Sequence, residues 1–99
     1  MKIQKEYRDN QLTISLEGRL DILTSSELEA ALAGALDGVE KLVFDMSKLE
    51  YISSAGLRVL LSTQKKLVSR GGQMLCKDLN ETVKEVFEVT GFSDIIRIA

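Results

Sequence analysis

Along this chain the spacing of apolar residues switches back and forth between a period of two and a period near 3.6, and the order of the switches restricts the fold. "LTISLE" at 12–17 alternates apolar and polar residues, so Leu12, Ile14 and Leu16 share one face of a strand. A shorter strand over Ile3 to Tyr7 precedes it. The "RDNQ" between them is turn chemistry, because Asp9 and Asn10 tolerate tight-turn geometry and can bond their own backbone. A hairpin therefore opens the chain. In "LTSSELEAALAGAL", Leu28, Ala31, Leu32, Ala35 and Leu36 follow the i, i+3, i+4, i+7, i+8 stripe of an amphipathic helix. Thr24 and Glu27 are spaced as a capping box at its start, and Leu23 and Leu28 as the hydrophobic staple that brackets it. The continuous apolar run Leu42 to Phe44 in "EKLVFDMS" then suits a strand covered on both faces.

The next helix runs from about Ser54 to Arg70, with Leu57, Leu60, Leu61, Leu67 and Val68 inward, basic residues toward its end and Gly71 past it. "QMLCK" follows as a short strand. Asn80 opens a third helix with Val83, Val86 and Phe87 inward, which stops at Gly91, and "DIIRI" closes the chain as a last strand. Strands alternating with helices imply right-handed crossovers and a largely parallel sheet, to which the hairpin adds an antiparallel edge. The expected fold is α/β: one domain over residues 1–99, with a mixed, mostly parallel sheet of about five strands and three main helices.

Several function classes fall away on composition. There is no histidine, so Ser-His-Asp, Cys-His and histidine-ligated metal sites are excluded. The formal charge is −2 with Lys and Arg scattered, which argues against direct nucleic-acid binding. No apolar stretch approaches the roughly 18 residues that cross a membrane, and "MKIQKEYRDN" is too polar for the centre of a signal peptide. The expected location is the cytoplasm, without membrane insertion. Cys76 has no second cysteine to pair with and reads as a small buried hydrophobe. No metal and no cofactor are expected.

"YISSAGLRVL" at 51–60 sets two serines at the carboxyl end of a strand and the amino end of a helix. One reading is structural, a serine accepting from otherwise unpaired backbone N–H groups. The other is functional, because open α/β sheets present their working surface at the carboxyl ends of strands, and Gly56 offers no side chain to block a partner. A phosphate there would meet a helix dipole that favours an anion. A serine hydrolase would need a base and a G-x-S-x-G elbow, and a nucleotide site a phosphate loop; all are absent. No catalytic constellation stands out, and the chain is not expected to be an enzyme.

Three blocks, "GRLD" at 18–21, "LVFDMSKLEYISSAGLRVLL" at 42–61 and "VKEVFEVTGFSDIIRI" at 83–98, resemble the STAS domain of bacterial anti-sigma factor antagonists over nearly the whole chain. The resemblance implies a module that in its unphosphorylated form binds an anti-sigma factor of the GHKL serine-kinase type and releases a sigma factor. Phosphorylation switches it off and a serine phosphatase reverses the switch. Matching "AGL" to the family pattern puts the phosphorylated position on Ser54, with Ser53 second; the family commonly has aspartate where Ser53 stands. Asp21 matches an acidic position near the phosphorylation site that could hold the kinase or steer its nucleotide, or is a plain turn aspartate. Asp45, at the end of the central strand, is implied to lie beside Ser54, or else to structure "DMSKL" by bonding its N–H groups, and Ser47 is read as a turn former of the same kind. Gly56, Leu57 and Arg58 would contribute to the partner interface, and Gly91 would cap a helix end. The alternative is a STAS subunit that is never phosphorylated and serves a larger transport or signalling assembly.

Overall fold

The computed structural model describes residues 1–99, and its elements run β1 (Lys2–Arg8), β2 (Gln11–Leu20), α1 (Ser25–Leu32), β3 (Lys41–Ile52), α2 (Ser54–Ser69), β4 (Gln73–Lys77), α3 (Glu81–Val89), a 3-10 turn (Phe92–Asp94) and β5 (Arg97–Ile98). The opening hairpin forms as expected. Asp9 takes a left-handed φ of 55° at its tip, and β1 pairs antiparallel with β2 from Lys2 opposite Glu17 to Arg8 opposite Gln11. From β2 onward every pairing is parallel, and the sheet order β1-β2-β3-β4-β5 repeats the chain order.

Each parallel crossover steps one place in the same direction, so connections of one hand collect the helices on one face. The burial pattern agrees. Leu12, Ile14 and Leu16 on β2, Leu42 and Phe44 on β3, and Met74 and Cys76 on β4 join Leu28, Leu57, Leu60, Leu67, Val83 and Phe87 in a single buried cluster of 22 residues. The alternate positions Thr13, Ser15, Asp45 and Lys77 are polar and half-buried. Val43 lies among them, 5% exposed but outside the cluster, flanked by Thr13 and Leu75 on the neighbouring strands. The expectation that β3 is covered on both faces is therefore corrected: one face carries the helix layer, and the other closes over Val43 with strand neighbours alone.

Other boundaries also move. α1 stops at Leu32 because Gly34 turns left-handed at φ 72°, yet Ala35 stays buried at 7% and Leu36 packs against the core from the turn that follows. The apolar stripe continues in space after the helix has ended. The Thr24–Glu27 capping box does not form, since Thr24 is helical in its own backbone and caps nothing there; the staple is absent too, with Leu23 79% exposed. On α2, Val68 is exposed while Val59 and Thr63 take inward positions, the Thr63 hydroxyl donating to the Val59 carbonyl at 2.7 Å. α3 starts as expected, with Asn80 Oδ1 accepting from Val83 N at 2.8 Å. The same side chain donates to the Leu49 carbonyl at 2.9 Å, which pins the helix start to β3. Gly91 follows the α3 end in a left-handed conformation, φ 79°. The last strand shrinks to two residues because Phe92–Asp94 coils into the 3-10 turn.

Candidate functional site

β2 and β3 end together, Leu20 opposite Ile52, and the Leu20 carbonyl accepts from Ser53 N at 2.9 Å. That bond sets the start of α2 beside the loop that leaves β2. Ser53 is extended (φ −98°, ψ 174°); its hydroxyl accepts from Gly56 N at 3.4 Å and its carbonyl from Leu57 N at 3.0 Å. It is half-buried and it is the cap. Ser54 is the first helical residue and is exposed. Its hydroxyl makes no bond within the chain, and the N–H groups of Ser54 and Ala55 have no backbone acceptor, as at any helix start. The two serines thus divide the two readings between them: one caps, and the other is left free.

Asp21 follows Leu20 directly. Its Oδ1 accepts from Leu23 N and Thr24 N, both at 3.0 Å, while Thr24 Oγ1 accepts from Asp21 N at 2.9 Å and donates to the Arg19 carbonyl at 2.7 Å. This is a reciprocal capping arrangement one turn ahead of the one the sequence suggested, built on Asp21 and Thr24 rather than Thr24 and Glu27. The D-x-x-T spacing was its signal. The N–H of Thr24, helped by that of Leu23, holds the carboxyl below its ordinary range against a partial opposing effect of burial. On the opposite side of the sheet from the core, the Arg19 guanidinium stacks over the Tyr51 ring at 4.5 Å, joining the same two strand ends. Neither residue carried a functional signal in the sequence beyond Arg19 lying in "GRLD".

Three expected contact residues are placed differently. Gly56 is buried and faces Leu20 and Ile52, so its lack of a side chain serves helix seating rather than a partner's approach. Leu57 is 1% exposed and belongs to the core. Asp45 does not lie beside Ser54. It sits seven positions before Ile52 on the same strand, opposite Ser15 and Lys77, because β3 runs on to Ile52 instead of ending there. Asp45 Oδ1 accepts from Ser47 N at 3.0 Å, where the β2–β3 register slips by a residue, and that bond holds its carboxyl below the usual range. Asp45 and Ser47 are the bulge formers of "DMSKL". Arg58 is exposed as expected.

The family model for the STAS domain matches residues 2–99. The chain belongs to the STAS domain family. Among its relatives, this STAS domain is 39% identical to BtrV of Bordetella bronchiseptica, whose name assigns it as an anti-sigma factor antagonist; the match covers 100% of this chain and 86% of BtrV. Its fold is shared with SpoIIAA, an anti-sigma factor antagonist solved in its unphosphorylated form, at a TM-score of 0.85 and 22% identity over 99% of this chain and 88% of that one. The phosphorylated form of SpoIIAA, described as a Bacillus cell fate determinant, matches at a TM-score of 0.77 and 21% identity over 99% and 91% of the two chains. The STAS architecture puts Ser54 and the Asp21 loop at the carboxyl ends of the inner strands β3 and β2, with Arg58 one turn further along α2, and leaves Asp45 seven residues back along β3. No helix of the domain is long and apolar enough to cross a membrane. Cys76 is fully buried, and burial pushes its thiol up to about 12.

Proposed function

We propose that this STAS domain is an anti-sigma factor antagonist whose interaction with a GHKL-type serine kinase is switched by phosphorylation of Ser54. The observation that carries the reading is the division of labour at the α2 start. Ser53 supplies the cap, so the Ser54 hydroxyl is exposed, unbonded and free to accept a phosphoryl group without undoing the helix. In the transfer Ser54 Oγ bonds to the γ-phosphorus of ATP, the bond from that phosphorus to the β,γ-bridging oxygen breaks to release ADP, and the hydroxyl proton passes to a base of the kinase or to water. The product adds about −1.5 to −2 charges at a helix N-terminus, where the dipole and the free N–H groups of Ser54 and Ala55 stabilise an anion. The domain tolerates the group. A partner surface shaped against a neutral hydroxyl does not, and the Asp21 carboxylate, which follows the adjacent strand end, adds a second negative charge on that side of the domain.

The unphosphorylated domain would bind the anti-sigma factor and release its sigma factor, and a serine phosphatase would restore that form. The domain is a substrate and a binding partner here, with no chemistry of its own, acting in the cytoplasm. The relatives' names support the pathway. Incubation with ATP and the serine kinase encoded nearest to it, followed by intact-mass measurement and peptide mapping, should give one phosphate on Ser54, and none in Ser54→Ala. A phosphate on Ser53 alone, or none on either serine, would overturn the switch and favour a STAS subunit of a larger transport or signalling assembly.

A further inference from the structure

Ile22 and Leu23 are 75% and 79% exposed, among the most exposed large apolar side chains of the domain. Nothing in the folded chain uses them. Leu23 stands where a staple would close onto Leu28, yet Leu28 is fully buried without it. The backbone that carries the pair is nevertheless tightly held. Asp21 Oδ1 accepts from Leu23 N and Thr24 N, the Asp21 carbonyl accepts from Ser25 N at 2.9 Å, Ser25 Oγ donates to the Ile22 carbonyl at 3.1 Å and Ser26 Oγ to the Leu23 carbonyl at 3.3 Å. Two apolar side chains are thus fixed outward on an ordered loop, flanked along the chain by Asp21 and Thr24 and followed by the exposed Ser26 and Glu27. An exposed apolar pair with polar neighbours along the chain, on a backbone already ordered before binding, is the form of an interaction hot spot.

Its position selects the occupant. The loop leaves β2 at Leu20, whose carbonyl holds Ser53 N, so the pair and Ser54 rise from adjacent strand ends, about 5 Å apart in the sheet. We infer that Ile22 and Leu23 are an apolar docking pair, which the anti-sigma factor kinase buries in an apolar pocket next to the site where it meets Ser54. The inference rests on the proposed function and deepens it, assigning affinity to the loop and switching to the serine.

The test is calorimetric titration of the nearest-encoded serine kinase with wild-type domain, the Ile22→Ser/Leu23→Ser double variant and Val89→Ser. Val89 is equally exposed, at 80%, but is the last residue of α3, the helix that connects β4 to β5. The double variant should bind about tenfold or more weakly, with a less negative heat-capacity change, because apolar burial sets that signature. Val89→Ser should bind like wild type, and the thermal midpoints should match because none of these side chains is in the core. If wild type binds and the double variant loses less than about threefold, or if Val89→Ser loses as much, the docking pair is overturned while the Ser54 switch stands. Wild type failing to bind the kinase at all would overturn both.

Discussion

Seating α2 against the strand ends depends on one missing β-carbon. A side chain on Gly56 would place its Cβ 2.7 Å from Leu20 Cγ and 3.0 Å from Ile52 Cγ1, and both residues are fully buried with no room to retreat. Gly56→Ala gains about 1 kcal/mol of helix propensity, yet overpacking at such a site costs about 1–3 kcal/mol. The variant should be less stable by about 1 kcal/mol in urea unfolding, and it should be phosphorylated more slowly because the first turn of α2 must lift from Leu20. An unchanged midpoint would mean that the turn shifts freely. The sequence put Gly56 and Leu57 at a partner surface because they follow the serines; at residue scale, adjacency along a helix is a poor guide to exposure, since successive residues point about 100° apart.

At the scale of elements, the β2–α1 loop is held by a carboxylate whose ionisation can be followed. Donors from Thr24 and Leu23 depress the Asp21 pKa below its ordinary 3.8. A depressed carboxylate contributes stability above its unfolded value and loses it as pH falls through the folded one. The carboxyl carbon of Asp21 should therefore titrate by NMR with a midpoint below 3.8, and the Leu23 and Thr24 amides should lose exchange protection only across that acid range. A midpoint at or above 3.8 would show that the reciprocal cap does not persist in solution. The order of elements was legible because the 3.6 and two-residue repeats are local. Their ends were less so: β3 reaches Ile52 because β2 continues beside it to Leu20, and β5 is short because Phe92–Asp94 coils.

For the whole molecule, Cys76 reports on cooperativity. It is fully buried on β4 between Phe44 of β3 and Ile98 of β5, and burial pushes its thiol up to about 12, so neither access nor ionisation favours reaction in the folded state. Labelling by a thiol reagent should follow global unfolding, and a variant destabilised by 1.4 kcal/mol should label about tenfold faster. A rate indifferent to stability would place the opening locally, at the two-residue strand β5 that edges the sheet. The amino-acid sequence by itself determined the class of fold, the hairpin, the Asn80 and Gly91 stops of α3 and the serine pair at a strand-to-helix junction, because each rests on periodicity or capping within a few residues. Only the tertiary structure decided that all three helices share one face, that Ser53 caps while Ser54 stands free, that Asp45 belongs to a bulge seven residues up the strand, and that Ile22 and Leu23 face water. Those outcomes depend on which strand ends meet and which side chains are covered once they do, and no local pattern carries that information.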